Sequence, residues 1–209
     1  MKRIHLIRHG QTAWNADGRW QGMIDIPLSE TGLNQAAALA SYMSSRPLSS
    51  VYSSDLQRAV QTAEPLAKIH DLPLNQDARL REQNLGIFQG LTHEQHREKY
   101  PELVEAMYRD YWGFTFPEGE NRGQVRDRAL AFWKEMIEQD SQGETAVVLH
   151  GGTIRVLLMQ LLGPSRELDH LKLLNTSITT LGWEKEKIQL IELAQIPHLQ
   201  QTPQSTDAL

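Results

Sequence analysis

No cysteine occurs among the 209 residues. Disulfides, thiolate metal sites and cysteine nucleophiles are therefore excluded at once. Long apolar runs are missing too: no stretch suffices to cross a bilayer, and the one at Met1 to Ile7 is too short for a signal peptide. Positive charge is in deficit, with 21 Lys and Arg against 26 Asp and Glu and a formal net charge of −5. A general nucleic-acid binder needs a basic face to neutralise phosphates, so that class is disfavoured. A small anionic substrate is not disfavoured, because a local arginine cluster can act within an acidic protein. There is no internal repeat and no linker that divides the chain. What is present is ordinary for one globular domain with a full core: 40% hydrophobic and 22% charged residues. The expectation is a soluble cytoplasmic protein, monomer or homodimer, without nucleic-acid or membrane partners.

The hydrophobic pattern alternates between strands and helices. Ile4 to Ile7 reads as a buried strand, Leu48 to Ser53 as a short second one, Leu72 to Leu74 as a weak third, and Thr145 to Leu149 as the clearest. Ser177 to Trp183 and Lys187 to Leu193 form a terminal hairpin. Between them, Leu28 to Met43 is helical, capped by Ser29, with Leu33, Ala36, Ala37, Ala40 and Met43 at helical spacing. A second helix is capped by Ser54 or Asp55, and Pro65 should kink or break it. Thr92 caps a third and Pro101 starts a fourth. Arg122 to Gln139 is amphipathic, with Val125, Ala129, Phe132, Trp133, Met136 and Ile137 on one face. Thr153 to Leu162 is a further helix. The predicted class is α/β: a three-layer sandwich, with a mainly parallel sheet, an antiparallel edge element and a helical insertion over the strand C-terminal ends. One domain spans residues 1–195, with the insertion at about 92–123 as a partial lid. Residues 196–209 form a polar tail, expected to be flexible.

Three of these strands end in reactive side chains. The first delivers Arg8 and His9 ahead of Gly10, the second leads to Ser53, Ser54, Asp55 and Arg58, and the strong strand ends at His150, Gly151 and Gly152. In open α/β sheets, ligands bind beyond the strand carboxyl ends. If the three strands are neighbours, two arginines and two histidines share one rim. Such a rim suits a phosphoryl group, which guanidinium binds bidentately. Helix N-termini after Ser54 and Gly152 would add backbone donors. A histidine accepts a phosphoryl group when its attacking nitrogen is unprotonated and the other is held by a hydrogen bond. A leaving alkoxide needs a proton. Glu82 is the candidate acid, kept protonated by burial or by the substrate's charge, with Asp77 and Glu94 as competitors. Blander readings exist for each residue: a structural salt bridge at Arg8, a core histidine at His9, an exposed Arg58, a capping His150. His93 and His96 lack the spacing of a zinc pair, and no GxSxG elbow supports a serine hydrolase.

Taken together, RHGQTAWN, SSDLQRAVQTA, LREQNLGIFQGLT and VVLHGGTIR resemble the histidine phosphatase superfamily, also called phosphoglycerate mutase-like, over roughly residues 2 to 183. The resemblance implies a nucleophilic His9 that is transiently phosphorylated, a phosphate pocket of Arg8, Arg58 and His150, and Glu82 as proton donor. It also implies that Asn15, Gln21 and Gly22 lie near phosphate or substrate, with Gly151 beside them, and that neither a metal nor another cofactor is required. The substrate would be a small phosphorylated metabolite. Cofactor-dependent mutases carry E-R-x-Y-G where this chain has Gln83 and Leu85, which points toward the phosphatase branch. Mutase activity and a non-catalytic phosphate-binding module are the alternatives. The family's G-E-S stands here as Gly119, Glu120 and Asn121.

Overall fold

The computed structural model describes residues 1–139 and 143–199. Its strands are β1 (Lys2–Arg8), β2 (Leu48–Ser53), β3 (Leu74–Gln76), β4 (Glu144–Leu149), β5 (Ile178–Glu184) and β6 (Lys187–Gln195). The helices are α1 (Ala13–Ala16), α2 (Glu30–Met43), α3 (Gln57–Ile69), α4 (His93–Lys99), α5 (Pro101–Arg109), α6 (Arg122–Gln139), α7 (Gly151–Leu162) and α8 (Arg166–Asp169). The strands join in one sheet of order β3-β2-β4-β1-β5-β6. The first four of that order run parallel, while β5 is antiparallel to β1 and β6 to β5.

Side chains alternate across β1, as a strand requires. Ile4 and Leu6 join a core with Phe132 and Trp133 of α6 and Ile154 and Leu157 of α7. Ile7 faces the other way, toward Leu39 and Met43 of α2 and Ala63 and Leu66 of α3. This makes the three layers, and it places β2, β4 and β1 side by side so that their carboxyl ends share a rim. A smaller third core of Phe88, Val104, Met107 and Phe116 holds the helices α4 and α5 against the loops at that end, with Trp20 packed on it.

Several local expectations are corrected. The buried side of α2 is Gly32, Ala36, Leu39, Ala40 and Met43, while Leu33 is 50% exposed. Gly32 sets that rotation: a Cβ there would lie 2.0 Å from the Gln11 carbonyl oxygen, so only glycine permits the approach. The helix α3 runs unbroken through Pro65, held by its buried Ala63, Leu66 and Ala67 despite the missing N–H. Neither Ser54 nor Asp55 caps it. Leu56 stands at the cap position, and Asp25 from a distant loop accepts from Gln57 N at 2.7 Å. The weak third strand lies later than expected, because Leu72 N still closes the preceding helix on Ala67 O.

After β6 the chain makes a 3-10 turn at Pro197–Leu199, within the polar tail expected at residues 196–209. His198 Nε2 lies 2.8 Å from Thr176 Oγ1. Residues 200–209 of that expected tail lie outside the described residues.

Candidate active site

Register sets the site. Arg8 pairs with Leu149 across β1 and β4, and His9 N donates to Leu149 O at 2.9 Å, so His9 and His150 leave the sheet together. Their rings lie 5.2 Å apart between centroids. Arg58 arrives from α3, within hydrogen-bond reach of His150, and is 0% exposed. The rim thus gathers the two arginines and two histidines that the sequence pointed to.

His9 is buried, and its Nδ1 lies 2.7 Å from the carbonyl oxygen of Gly10. A carbonyl only accepts, so Nδ1 carries the proton and Nε2 keeps its lone pair. Burial, then the charges of Arg58 and Arg8, hold this imidazole well below its usual range, with the Gly10 bond opposing them. The ring is neutral at physiological pH.

His150 shows the opposite tautomer. Arg58 Nε donates to His150 Nδ1 at 3.2 Å. Guanidinium cannot accept, so the neutral ring's proton sits on Nε2. That Nε2 is buried and has no partner among the described residues. Burial, followed by the charge of Arg58, also holds His150 far below the usual imidazole range.

The remaining Arg58 contacts fix its plane. Nη1 donates to Ile24 O at 2.7 Å and Nη2 to Gly22 O at 2.6 Å. Burial brings its pKa down to about 10, against the opposing attraction of Glu82 and Asp25, and it stays charged at neutral pH. Arg8 keeps part of its surface open at the rim. Its Nη1 donates to Leu173 O, and its Nε is unpartnered among the described residues. No ion pair joins Arg8 to a carboxylate among the described residues, which removes the structural salt-bridge reading.

Glu82 is half-buried, and its surroundings differ from those expected. Gly152 N donates to Oε2 at 2.9 Å, and Thr153 N, Gln83 N and Thr153 Oγ1 reach Oε1 at 3.1, 2.9 and 3.3 Å. The carboxylate therefore occupies the N-terminus of α7, taking the donors that were expected to face a phosphate. A Cβ at residue 152 would lie 2.5 Å from Glu82 Oε1, so glycine there makes the seat. The rival acids are elsewhere. Asp77 is paired with Arg79 at 2.6 Å, and Glu94 is exposed on α4.

The expected substrate residues divide. Gln21 is buried, with Oε1 unpartnered among the described residues. Asn15 Oδ1 is engaged by Thr12 N at 3.1 Å, in the capping box of α1, and by Asn175 Nδ2 at 3.3 Å. Gly22 acts through its carbonyl on Arg58, and Gly151 leaves room beside Arg8, whose Nε would lie 3.6 Å from a Cβ there.

Sequence reasoning missed the braces behind these groups. Asn175 Nδ2 donates to His9 O at 3.0 Å, and Thr176 N to Arg8 O at 3.0 Å. Thr176 holds φ at 56°, a left-handed conformation costly for a β-branched residue. Thr62 Oγ1 accepts from Gly10 N at 2.9 Å and donates to Arg58 O at 2.6 Å. Among the described residues, no group of three or more His, Asp or Glu side chains is arranged to hold a metal ion.

The chain is similar to known proteins over nearly its whole length. Residues 4–196 match the histidine phosphatase superfamily (branch 1). A metal-independent phosphoserine phosphatase of Arabidopsis thaliana is 34% identical over 200 residues, covering 94% of this chain and 82% of that protein. Phosphoglycerate mutase-like protein 4 of the same plant is 32% identical over 203 residues, covering 95% and 87%. The solved structure of a mycobacterial glucosyl-3-phosphoglycerate phosphatase complexed with VO3 superposes with a TM-score of 0.85 at 33% identity, covering 93% of this chain and 99% of that one. With the matched region running from the first strand to the end of the sheet, the chain belongs to the histidine phosphatase superfamily, branch 1.

Proposed function

We propose that this protein is a metal-independent phosphomonoesterase that hydrolyses small phosphorylated metabolites through a phosphohistidine at His9. One observation carries the reading. A neutral imidazole with a free Nε2 lies beside two guanidiniums and an unpartnered His150 Nε2–H. That is a nucleophile facing two positive charges and two N–H groups, Arg8 Nε and His150 Nε2, left without partners among the described residues, which fits a tetrahedral dianion.

In the first step His9 Nε2 attacks phosphorus. The N–P bond forms, the ester P–O bond breaks, and the leaving oxygen takes a proton from Glu82. Arg8, Arg58 and His150 stabilise the charge spread over the phosphoryl oxygens. To serve as the acid, Glu82 takes up a proton with the substrate and gives up one of its bonds to the start of α7. In the second step water attacks phosphorus, passes its proton to Glu82, and the N–P bond breaks.

Hydrolysis is favoured over mutase transfer by the two positions where mutases carry Arg and Tyr. Here Gln83 Nε2 donates to Glu120 O at 2.9 Å and Leu85 packs into the small core near Phe88, so neither is free to hold a second substrate group. The phosphatase names of two of the relatives above support the same reading. It also extends to a cytoplasmic setting, with which the cysteine-free sequence is compatible.

Trapping tests it. Acid-labile, alkali-stable phosphate should appear on His9 when a phosphomonoester is quenched during turnover, and should vanish in His9→Ala. Label that persists in His9→Ala moves the nucleophile elsewhere. EDTA should leave turnover unchanged, and inhibition reversed by added metal would overturn the metal-free mechanism.

A further inference from the structure

The loop that carries Glu82 lies between β3 and α4, outside the sheet. What grips it is Arg128, on α6. Nη1 donates to Arg79 O at 2.8 Å and to Arg81 O at 2.6 Å. Nη2 donates to Glu82 O at 3.0 Å and to Glu120 Oε2 at 3.1 Å, and Nε reaches Glu120 Oε1 at 3.2 Å. A guanidinium has five N–H donors, and all of them are used here. Three close on carbonyls of the acid loop, including that of Glu82 itself. The other two close on one carboxylate.

Glu120 completes the grip from the opposite side. Its Oε2 accepts from Asn84 N at 2.9 Å, its own N donates to Asn84 O at 2.8 Å, and its carbonyl takes Gln83 Nε2. The segments on both sides of Glu82 are thus tied to one ion pair, formed where the insertion meets α6. Among the described residues, only Arg128 holds the carbonyl of Glu82, and no ligand need touch it.

We infer that Arg128, aligned by Glu120, is the positioning residue for the proton donor, setting where the Glu82 carboxyl stands relative to the leaving oxygen. This rests on Glu82 acting as the proton donor. Lysine cannot replace Arg128, because one ammonium cannot span three carbonyls and a carboxylate in a plane. Glu120→Gln weakens the alignment while keeping the side chain's shape.

Leaving groups separate positioning from simple structural support. 4-Nitrophenolate departs with little need of a proton, whereas phenolate needs one, and the two phosphate esters are otherwise alike. The quantity to measure is kcat/KM, which covers the steps through phosphoryl transfer to His9. Its ratio between the two esters on one preparation is independent of how much enzyme is folded. Glu82→Gln should raise the preference for 4-nitrophenyl phosphate by about 10²-fold or more, the scale of general acid catalysis. Arg128→Lys and Glu120→Gln should each raise it by about tenfold, as small misplacements of a reacting group do. Added to Glu82→Gln, neither should raise it further.

An unchanged ratio in Arg128→Lys and Glu120→Gln, with a raised one in Glu82→Gln, would overturn the positioning role alone. Additive effects in the double variants would overturn it equally. An unchanged ratio in Glu82→Gln would overturn the proton-donor reading, and the positioning role with it.

Discussion

His5 and His9 lie on the first strand and its exit, four residues apart, and both are buried. Burial lowers the basicity of both rings. Their neighbours divide them. His5 Nε2 lies 2.8 Å from Glu144 Oε2 and Nδ1 lies 3.0 Å from Thr180 Oγ1, so both ring nitrogens are engaged. Glu144 in turn faces Arg3 at 3.6 Å and Arg46 at 4.0 Å. His9 has one nitrogen engaged, by a carbonyl, and cations rather than a carboxylate around it. One strand thus carries a histidine that is finished and another that is left incomplete. In the proposed mechanism the nucleophile is the imidazole that lacks a carboxylate partner.

The sharpest way to break that comparison is activity. His9→Ala should abolish turnover of an artificial phosphomonoester, while His5→Ala should leave kcat/KM within about threefold, as it touches no reacting atom. A large loss in His5→Ala would make the two histidines one site. Next come the cations. Arg58→Ala and Arg8→Ala should each cost about 2–4 kcal/mol of transition-state stabilisation, the scale of a preorganised donor. Arg58 should be the worse loss, since it also fixes the tautomer of His150. Unchanged kcat/KM in either variant would take that arginine out of the pocket.

Stability reverses the order of the pair. His5→Ala removes the nearest partner of Glu144, while Thr180 keeps its bond to Glu192, and should cost about 1–3 kcal/mol in denaturant unfolding. An unchanged midpoint would mean that Arg3 and Arg46 suffice for Glu144. The last effect concerns pH. His5, His9, His96, His150 and His198 all bind protons less readily folded than unfolded. Their contribution is present in full above the unfolded value of 6.5 and is lost as pH falls below it. For His198, brought to about 4 by burial, the loss runs from 6.5 down to about 4. His198→Gln should flatten that part of the stability profile, and an unaltered acid limb would show that His198 is not part of it.

What the sequence made legible follows from where each signal lies. Arg8, His9 and His150 end strands whose apolar runs are unmistakable, so their convergence needed only the strands to be neighbours. Arg58 was legible through its segment, not its spacing. Glu82 was legible by motif, yet its environment was not. That the start of α7 would be occupied by a carboxylate depends on a contact between residues 82 and 152, which no local pattern encodes. Arg128 was not legible at all. It sits among Arg122 and Arg126 on the same helix, and side chains that bond to backbone carbonyls place no constraint on the residue types that supply them. Leu33 failed for a related reason: the rotation of α2 is set by Gly32 against the Gln11 backbone, and periodicity alone cannot weigh one close approach.

The turn at Pro197–Leu199 gives the end of the sheet region a practical meaning. Through Thr176, His198 is two contacts from the backbone of Arg8. A shortened version of this protein ending at residue 196 would keep Arg8, His9, Arg58, Glu82 and His150 and lose the contact of His198 with Thr176, a β-branched residue at positive φ. A shortened version should therefore reach at least Leu199, beyond the last strand.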